Sequence, residues 1–393
     1  MASSARVPEL DGIRGMAILL ILVYHWVVLE STTLPERLSV LGSFGWSGVD
    51  LFFVLSGFLI GGILLDAKSS SNYFRVFYVR RFLRILPLYF LVCLISVAVY
   101  YSHLSTHAWL FEEKIPWYAY LTFGQNFWMA KYNAFASRQL DATWSLAIEE
   151  QFYLTLPLVI SLTRITRLPY ILLGGIILAP LLRILLWFSV DPAHQFAATY
   201  LLAPCRMDGL LLGVLAAWWI RYRNFDLVRY RWALMISSVV LGFGFGLIMH
   251  YRWNFGSFQL TFFGYTWIAL FYLSLLLLAV SHKGLVSRGF SFGPLKALGI
   301  VAYGLYLFHQ PTLGLVYGLL GKPTPKLSGL YEMIVTGLST ILLLLLAYVS
   351  WIYFEKPLVR IGHRFKYSTE HPVSEKNRLK SYGKKDEQSS LSS

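Results

Sequence analysis

Apolar residues run along this chain in blocks of about twenty, separated by shorter polar stretches. The blocks lie near 11–30, 46–65, 83–101, 142–162, 169–190, 197–219, 233–250, 259–281, 297–320 and 329–354. At about 1.5 Å per residue, a helix of that length crosses a hydrocarbon core of roughly 30 Å. The pattern predicts an all-α, polytopic membrane bundle of about ten spans, with no strand period anywhere. The polar positions inside the blocks matter more than the apolar ones. An ionisable side chain is costly in a bilayer, so one placed within a span marks a candidate functional position.

The first block, ELDGIRGMAILLILVYHWVVLE, carries three such groups between its terminal glutamates. Arg14 and His25 are eleven residues apart, which at about 100° per residue puts them within roughly 20° on one helix face and about 16 Å apart along it. Asp11 lies close to the same face. Counting inward from the outer ends of the spans, His25, Asp50 and Glu149 share the outer half of the membrane, with Glu150 beside the last. The span of Glu149 has a plausible cap at Asp141 or Thr143. A histidine beside a carboxylate has the parts of a general base whose tautomer its partner fixes.

Composition narrows the class. The 393 residues are 56% hydrophobic and 14% charged, with a mean hydropathy of +0.57, which excludes an ordinary soluble domain. The net charge of +14 is distributed by topology and not gathered for nucleic acid. With the N-terminus inside, inner segments hold 24 Lys and Arg and outer segments 7, so both termini are expected to be cytoplasmic. Cys93 and Cys205 fall in apolar blocks, away from any disulfide or zinc spacing, and no metal site is expected. The first block is too long and too interrupted for a cleavable signal peptide. The expected organisation is a membrane domain over 1–364 and a polar, unstructured cytoplasmic tail over 365–393. The longest outer connection, about 102–141, holds Glu112, Glu113, Lys114 and the aromatics Trp109, Trp117, Tyr118, Tyr120, Phe127 and Trp128, which read best as interface anchors.

On the inner side, FYVRRFLRILP sets Arg80, Arg81 and Arg84 at the mouth of the third span. Arg81 and Arg84 are three apart and share a face. Two guanidinium forks there suit phosphate groups better than lipid anchoring, and Arg14 lies near the same level. An anionic cosubstrate gripped there can extend toward His25. Arg206 in APCRMDGLLLG either binds substrate or pairs with an acid on another helix. Asp208, two residues on, cannot face it. His309, before Pro311 in YGLYLFHQP, is either a second site residue or a satisfied core histidine. Glu355 in YFEKP either joins the arginine mouth or faces solvent. The glycines of LGFGFG (242–246) match no phosphate loop and read as packing positions.

The ordered set LDGIRGMAILLILVYHW, GVDLFFVLSGFLI, RRFLRILPLYF, WSLAIEEQFYL, RMDGLLLG, YGLYLFHQP and FEKP resembles membrane acyltransferase family 3 over about 7–360. The resemblance implies an O-acyltransferase of about ten helices that moves an acyl group, acetyl above all, from cytoplasmic acyl-CoA to a hydroxyl of a cell-surface glycan or a small molecule. It implies Arg14 and His25 as the essential pair, Arg81 and Arg84 as donor-binding residues with Asp11 nearby, and Glu149 and Glu355 as further motif positions. Some family members carry an appended extracytoplasmic domain that completes transfer. None is expected after about 365, so delivery falls to the membrane domain or to a separate extracytoplasmic partner. The protein is then an integral protein of the cell (plasma or inner) membrane, with acyl-CoA as cosubstrate and no bound cofactor. The competing reading is a transporter or flippase of a lipid-linked sugar, which also wants buried charge. A transporter should show repeat symmetry, and none is visible.

Overall fold

The computed structural model describes residues 7–31, 35–101, 115–133, 135, 139–223, 225–251, 253, 256–281, 284–322 and 324–368. Trp109, Glu112, Glu113, Lys114 and nearly all of the expected tail, from 369 on, lie outside the described residues. Among the described residues the chain is helical, and an isolated bridge between Ser31 and Leu327 stands where a sheet would be. In chain order the helices are α1 (Pro8–Leu22), α2 (Glu36–Ser43), α3 (Gly48–Asp66), α4 (Tyr73–Tyr101), α5 (Trp117–Leu121), α6 (Gln125–Tyr132), α7 (Thr143–Leu162), α8 (Leu168–Ser189) and α9 (Gln195–Leu201). They continue as α10 (Ala203–Tyr222), α11 (Arg231–His250), α12 (Tyr265–Val280), α13 (Gly284–Phe290), α14 (Gly293–Ile300), α15 (Ala302–Leu319), α16 (Leu330–Ser350) and α17 (Lys356–Arg364).

Eight helical stretches are long and apolar enough to cross a bilayer: Pro8–Val28, Leu38–Asp66, Tyr73–Ala98, Leu168–Ser189, Pro192–Tyr222, Arg231–His250, Leu260–Val280 and Leu330–Arg364. The other two expected blocks also fold as helices, α7 and α15. Their polar groups hold them below that threshold: Ser145, Glu149, Glu150 and Gln151 in α7, and His309, Gln310 and Thr312 in α15. Both bury much of their length against other helices, where protein replaces lipid as the solvent for those groups. By contrast α11 and α16 turn Ile236, Val239, Phe243, Leu338, Ile341 and Leu345 outward.

Local chemistry explains several helix ends. A proline opens α1, α8, α10, α14 and α17, where its missing N–H would have had no helical partner. The expected side-chain cap of α7 is not made. The Thr143 hydroxyl instead donates back to the Leu140 carbonyl at 2.6 Å, and Ala142 occupies the cap position. At the other end of α7, the Lys68 ammonium donates to the carbonyls of Ile160, Ser161 and Thr163, which are otherwise left open by the helix end.

Small residues set the closest helix contacts. A Cβ on Gly57 of α3 would overlap the Leu210 carbonyl of α10, and one on Gly213 would overlap the Val54 carbonyl. The same applies where α1 meets α13 and α14, at Gly12, Gly15 and Gly299. Lipid gives helices no hydrophobic drive to associate, so close backbone approach supplies the dispersion contact instead. Gly242 and Gly244 likewise lie under the Phe271 and Trp267 rings, so two of the LGFGFG glycines serve packing. Cys93 and Cys205 are buried, and neither forms a disulfide among the described residues.

Candidate active site

Arg81 and Arg84 sit one turn apart on α4 and open into a cavity of about 290 Å³ between α1, α3, α4, α7, α14, α15, the turn Trp351–Glu355 and α17. Arg14 reaches the same cavity from α1, and Glu149 and Glu355 supply its carboxylates. The structure therefore brings together five of the sequence-derived candidates. Asp11 holds Arg14 by a 2.8 Å ion pair one turn away, so its link to the cavity runs through that guanidinium.

The charges in this cavity are unbalanced in a specific way. Arg183, Arg206 and Arg221 each have an aspartate oxygen within 3.0 Å. Arg81 and Arg84 have no such acid among the described residues; the Tyr153 ring centre lies 6.0 Å from the Arg81 guanidinium carbon. The two carboxylates of the cavity are engaged elsewhere. Glu149 accepts from Ser56 Oγ at 3.1 Å and from Tyr153 Oη at 2.7 Å, and Glu355 accepts from Ser350 Oγ at 3.0 Å. Two guanidinium forks are thus left facing a cavity and matched to an anion.

The expected pairing of His25 with Glu149 is not formed. Equal depth in a membrane does not say which way two helices face, and α7 turns Glu149 toward Ser56 and the arginines. The His309 ring stands beside His25 instead, with ring centroids 5.0 Å apart. His25 Nδ1 lies 3.0 Å from the Ile21 carbonyl and His309 Nδ1 lies 2.7 Å from the Tyr306 carbonyl. A carbonyl only accepts, so both Nδ1 atoms carry hydrogen and both neutral rings present a lone pair at Nε2. His309 is fully buried, and its Nε2 has no hydrogen-bond partner among the described residues.

His25 also departs from the regular helix face that its spacing from Arg14 predicts. Residues Val23–Val28 form a π-helical turn, and its wider winding breaks the phase carried up from Arg14. A second π turn, Trp351–Glu355, carries Glu355. Arg14 lines the cavity, whereas His25 is outside its described lining. Tyr306 connects the two regions: it lines the cavity, its ring centroid is 5.8 Å from that of His309, and its carbonyl orients that histidine. Its hydroxyl donates to the Ala142 carbonyl at 2.8 Å and lies 2.5 Å from Ser145 Oγ.

Asp50 and Arg206 belong to a different assembly. Arg206 Nη2 donates to Asp50 Oδ1 at 2.7 Å, under the Tyr265 ring at 4.2 Å. Arg183 donates to Asp208 Oδ2 at 3.0 Å and to Thr266 Oγ1 at 2.6 Å. Arg206 and Asp208 point to different helices, as residues two apart must, and the network ties α3, α8, α10 and α12 together. Asp50 is therefore removed from the histidine by its own partner. Glu150 stays outside the described cavity lining, and its buried Oε1 has no hydrogen-bond partner among the described residues. Sequence reasoning missed Ser56, Tyr153, Tyr306 and His363 at the cavity. Tyr306 lies in the same YGLYLFHQP segment as His309, three residues earlier, which is one helical turn.

Comparison with known proteins bears on the whole helical unit. The acyltransferase domain profile of family 3 matches residues 7–353. The chain is 28% identical over 384 residues to the O-acetyltransferase OatA of Staphylococcus aureus, covering 93% of this chain and 59% of that protein. It is 28% identical over 381 residues to the peptidoglycan O-acetyltransferase OatA of Listeria monocytogenes, covering 91% and 56%. The same identity extends over 387 residues of the putative peptidoglycan O-acetyltransferase YrhL of Bacillus subtilis, again 91% and 56%. The chain thus spans a little over half the length of the curated relatives it matches. No solved structure matches it. From the first described residue to the π turn of Glu355, the helices that build the arginine cavity and the histidine pair fall almost wholly within the matched stretch, and the chain belongs to the acyltransferase 3 family of integral membrane proteins.

Proposed function

We propose that this protein transfers an acyl group, acetyl in the first instance, from cytoplasmic acyl-CoA to a hydroxyl of a cell-surface glycan or related acceptor. The observation that carries the reading is the Arg81–Arg84 fork, without an acid partner among the described residues, opening into a cavity also lined by Tyr306, whose carbonyl orients His309 beside His25. The arginines grip the diphosphate of the donor as charge-assisted, bidentate contacts. The thioester arm lies along the cavity past Ser56 and Glu149 toward Tyr306. Peptidoglycan is the acceptor named for two of the relatives.

His25 is the general base in this reading. Its Nδ1–H is committed to the Ile21 carbonyl, so Nε2 takes the proton from the acceptor hydroxyl. The oxygen attacks the thioester carbonyl, the C–S bond breaks, and the departing thiolate takes up the proton. His309, held in the same tautomer and fully buried, is the polar neighbour of the imidazolium that forms. Glu149 serves the wall beside the arginines, bound to Ser56 and Tyr153, and does not orient His25.

Vesicles of known orientation test this. Labelled acetyl-CoA is supplied on the arginine side only, and an impermeant hydroxyl acceptor on one side at a time. Label on acceptor placed opposite the donor is the expected result. Label only on same-side acceptor overturns the cross-membrane route. Failure to release CoA with either acceptor overturns acyl transfer itself and returns the transporter reading.

A further inference from the structure

Beyond Arg81 and Arg84, on the side away from Tyr306, lies a second chamber of about 70 Å³. It shares Arg81, Arg84 and His363 with the main cavity and adds Arg80 and Tyr367. No carboxylate is among its described lining residues, so three guanidiniums and an imidazole converge there without an acid to balance them. Like charges gathered in a confined space call for an anion.

The chamber is roofed by the four residues after α17, which fold back on the start of α4. Arg80 donates to the Phe365 carbonyl through Nε at 2.9 Å and Nη2 at 2.5 Å, and its guanidinium carbon is 5.1 Å from the Tyr367 ring centre. Asn72 Nδ2 donates to the Lys366 carbonyl at 3.0 Å, and the Ser368 N–H returns a bond to Asn72 Oδ1 at 2.9 Å. The Ser71 and Ser368 hydroxyls are 2.8 Å apart. This double anchoring fixes Tyr367 as a wall and keeps His363 aimed at the arginines.

Resting on the acyl-CoA reading above, we propose that this chamber is a phosphomonoester subsite for the ribose 3′-phosphate of the donor, with Arg80 and His363 as its binding residues and 365–368 as its roof. The order of groups along the donor carries the assignment. The thioester lies toward Tyr306, and the diphosphate meets Arg81 and Arg84 where the two cavities join. The phosphate that lies further from the thioester is the one on the ribose. A chamber of that size takes a phosphoryl group and leaves the adenine outside. The subsite makes the protein select free acyl-CoA over acyl groups on a pantetheine arm that lacks this phosphate.

The test compares CoA with 3′-dephospho-CoA by binding to the full chain in nanodiscs of zwitterionic lipid, which offers no phosphomonoester headgroup. Wild type is expected to bind CoA about 10–100-fold more tightly, the worth of one charge-assisted contact. His363→Ala, which leaves the Arg80 bonds to Phe365 in place, should bring that ratio toward one while 3′-dephospho-CoA binds as before. Arg80→Ala should do the same and loosen the roof. Equal binding of both ligands by wild type overturns the subsite alone. Equal weakening of both in His363→Ala also overturns it, since that is a structural effect. Absence of CoA binding altogether overturns the donor reading, and the subsite with it.

Discussion

His25 and His309 face each other at 5.0 Å between ring centroids, each with Nδ1 against a backbone carbonyl of its own helix. His309 is fully buried and its Nε2 lone pair has no hydrogen-bond partner among the described residues, which is costly for a polar atom in a protein interior. The relation gives each ring a distinct expected phenotype. His25→Ala should lose about 10²–10⁴ in transfer rate, the usual worth of a general base, with the protein still inserted and folded. His309→Phe should slow the chemical step with donor affinity unchanged. Wild-type rates in matched amounts of His25→Ala would remove the base from this site.

Arg81→Ala and Arg84→Ala should weaken donor binding more than turnover. Each lost charge-assisted contact is worth about 1.5–3 kcal/mol, or roughly ten- to a hundredfold in affinity. Lysine in either place should also weaken binding, because an ammonium cannot reproduce the planar fork. Titration with acetyl-CoA in detergent reads the effect, and unchanged affinity in the double variant would make these residues topological anchors only.

The Asp50–Arg206 pair is expected to brace the bundle and take no part in the chemistry. Asp50→Ala strands a buried guanidinium and should cost about 3–5 kcal/mol, seen as a lower unfolding temperature. Replacing both partners together, by Asp50→Leu and Arg206→Met, should recover much of that loss. A single variant as stable as wild type but inactive would move the pair into the catalytic machinery.

Glycine packing makes a sharp comparison between two positions. Gly57→Leu drives a side chain into the Leu210 carbonyl and should cost upwards of about 1–3 kcal/mol, lowering the folded yield. A Cβ on Gly337 would have no described residue's atom within 4 Å beyond its own helix, and Gly337→Leu should be silent. Similar yields for both would show that α3 and α10 have room to separate.

The chain's own pattern determined that it is a helical membrane bundle, because a twenty-residue apolar block has one stable form in lipid, and it also singled out the ionisable positions worth attention. It placed Arg14, Arg81 and Arg84 near one level, since distance along a helix follows from residue count. What it could not contain is azimuth. Residue count puts Glu149 and His25 at one depth, yet the two face different neighbours, and Asp50 is taken by Arg206, because which sides of two helices meet depends on glycine contacts such as Gly57 with Leu210, made far apart in sequence. The π turn at Val23–Val28 shifts His25 off the face that regular winding predicts. His309 and Tyr306 join the site only because α15 packs beside that turn. His363 and Tyr367 meet Arg80 only because the chain after α17 folds back on α4, a contact fixed by tertiary hydrogen bonds and not by any local period.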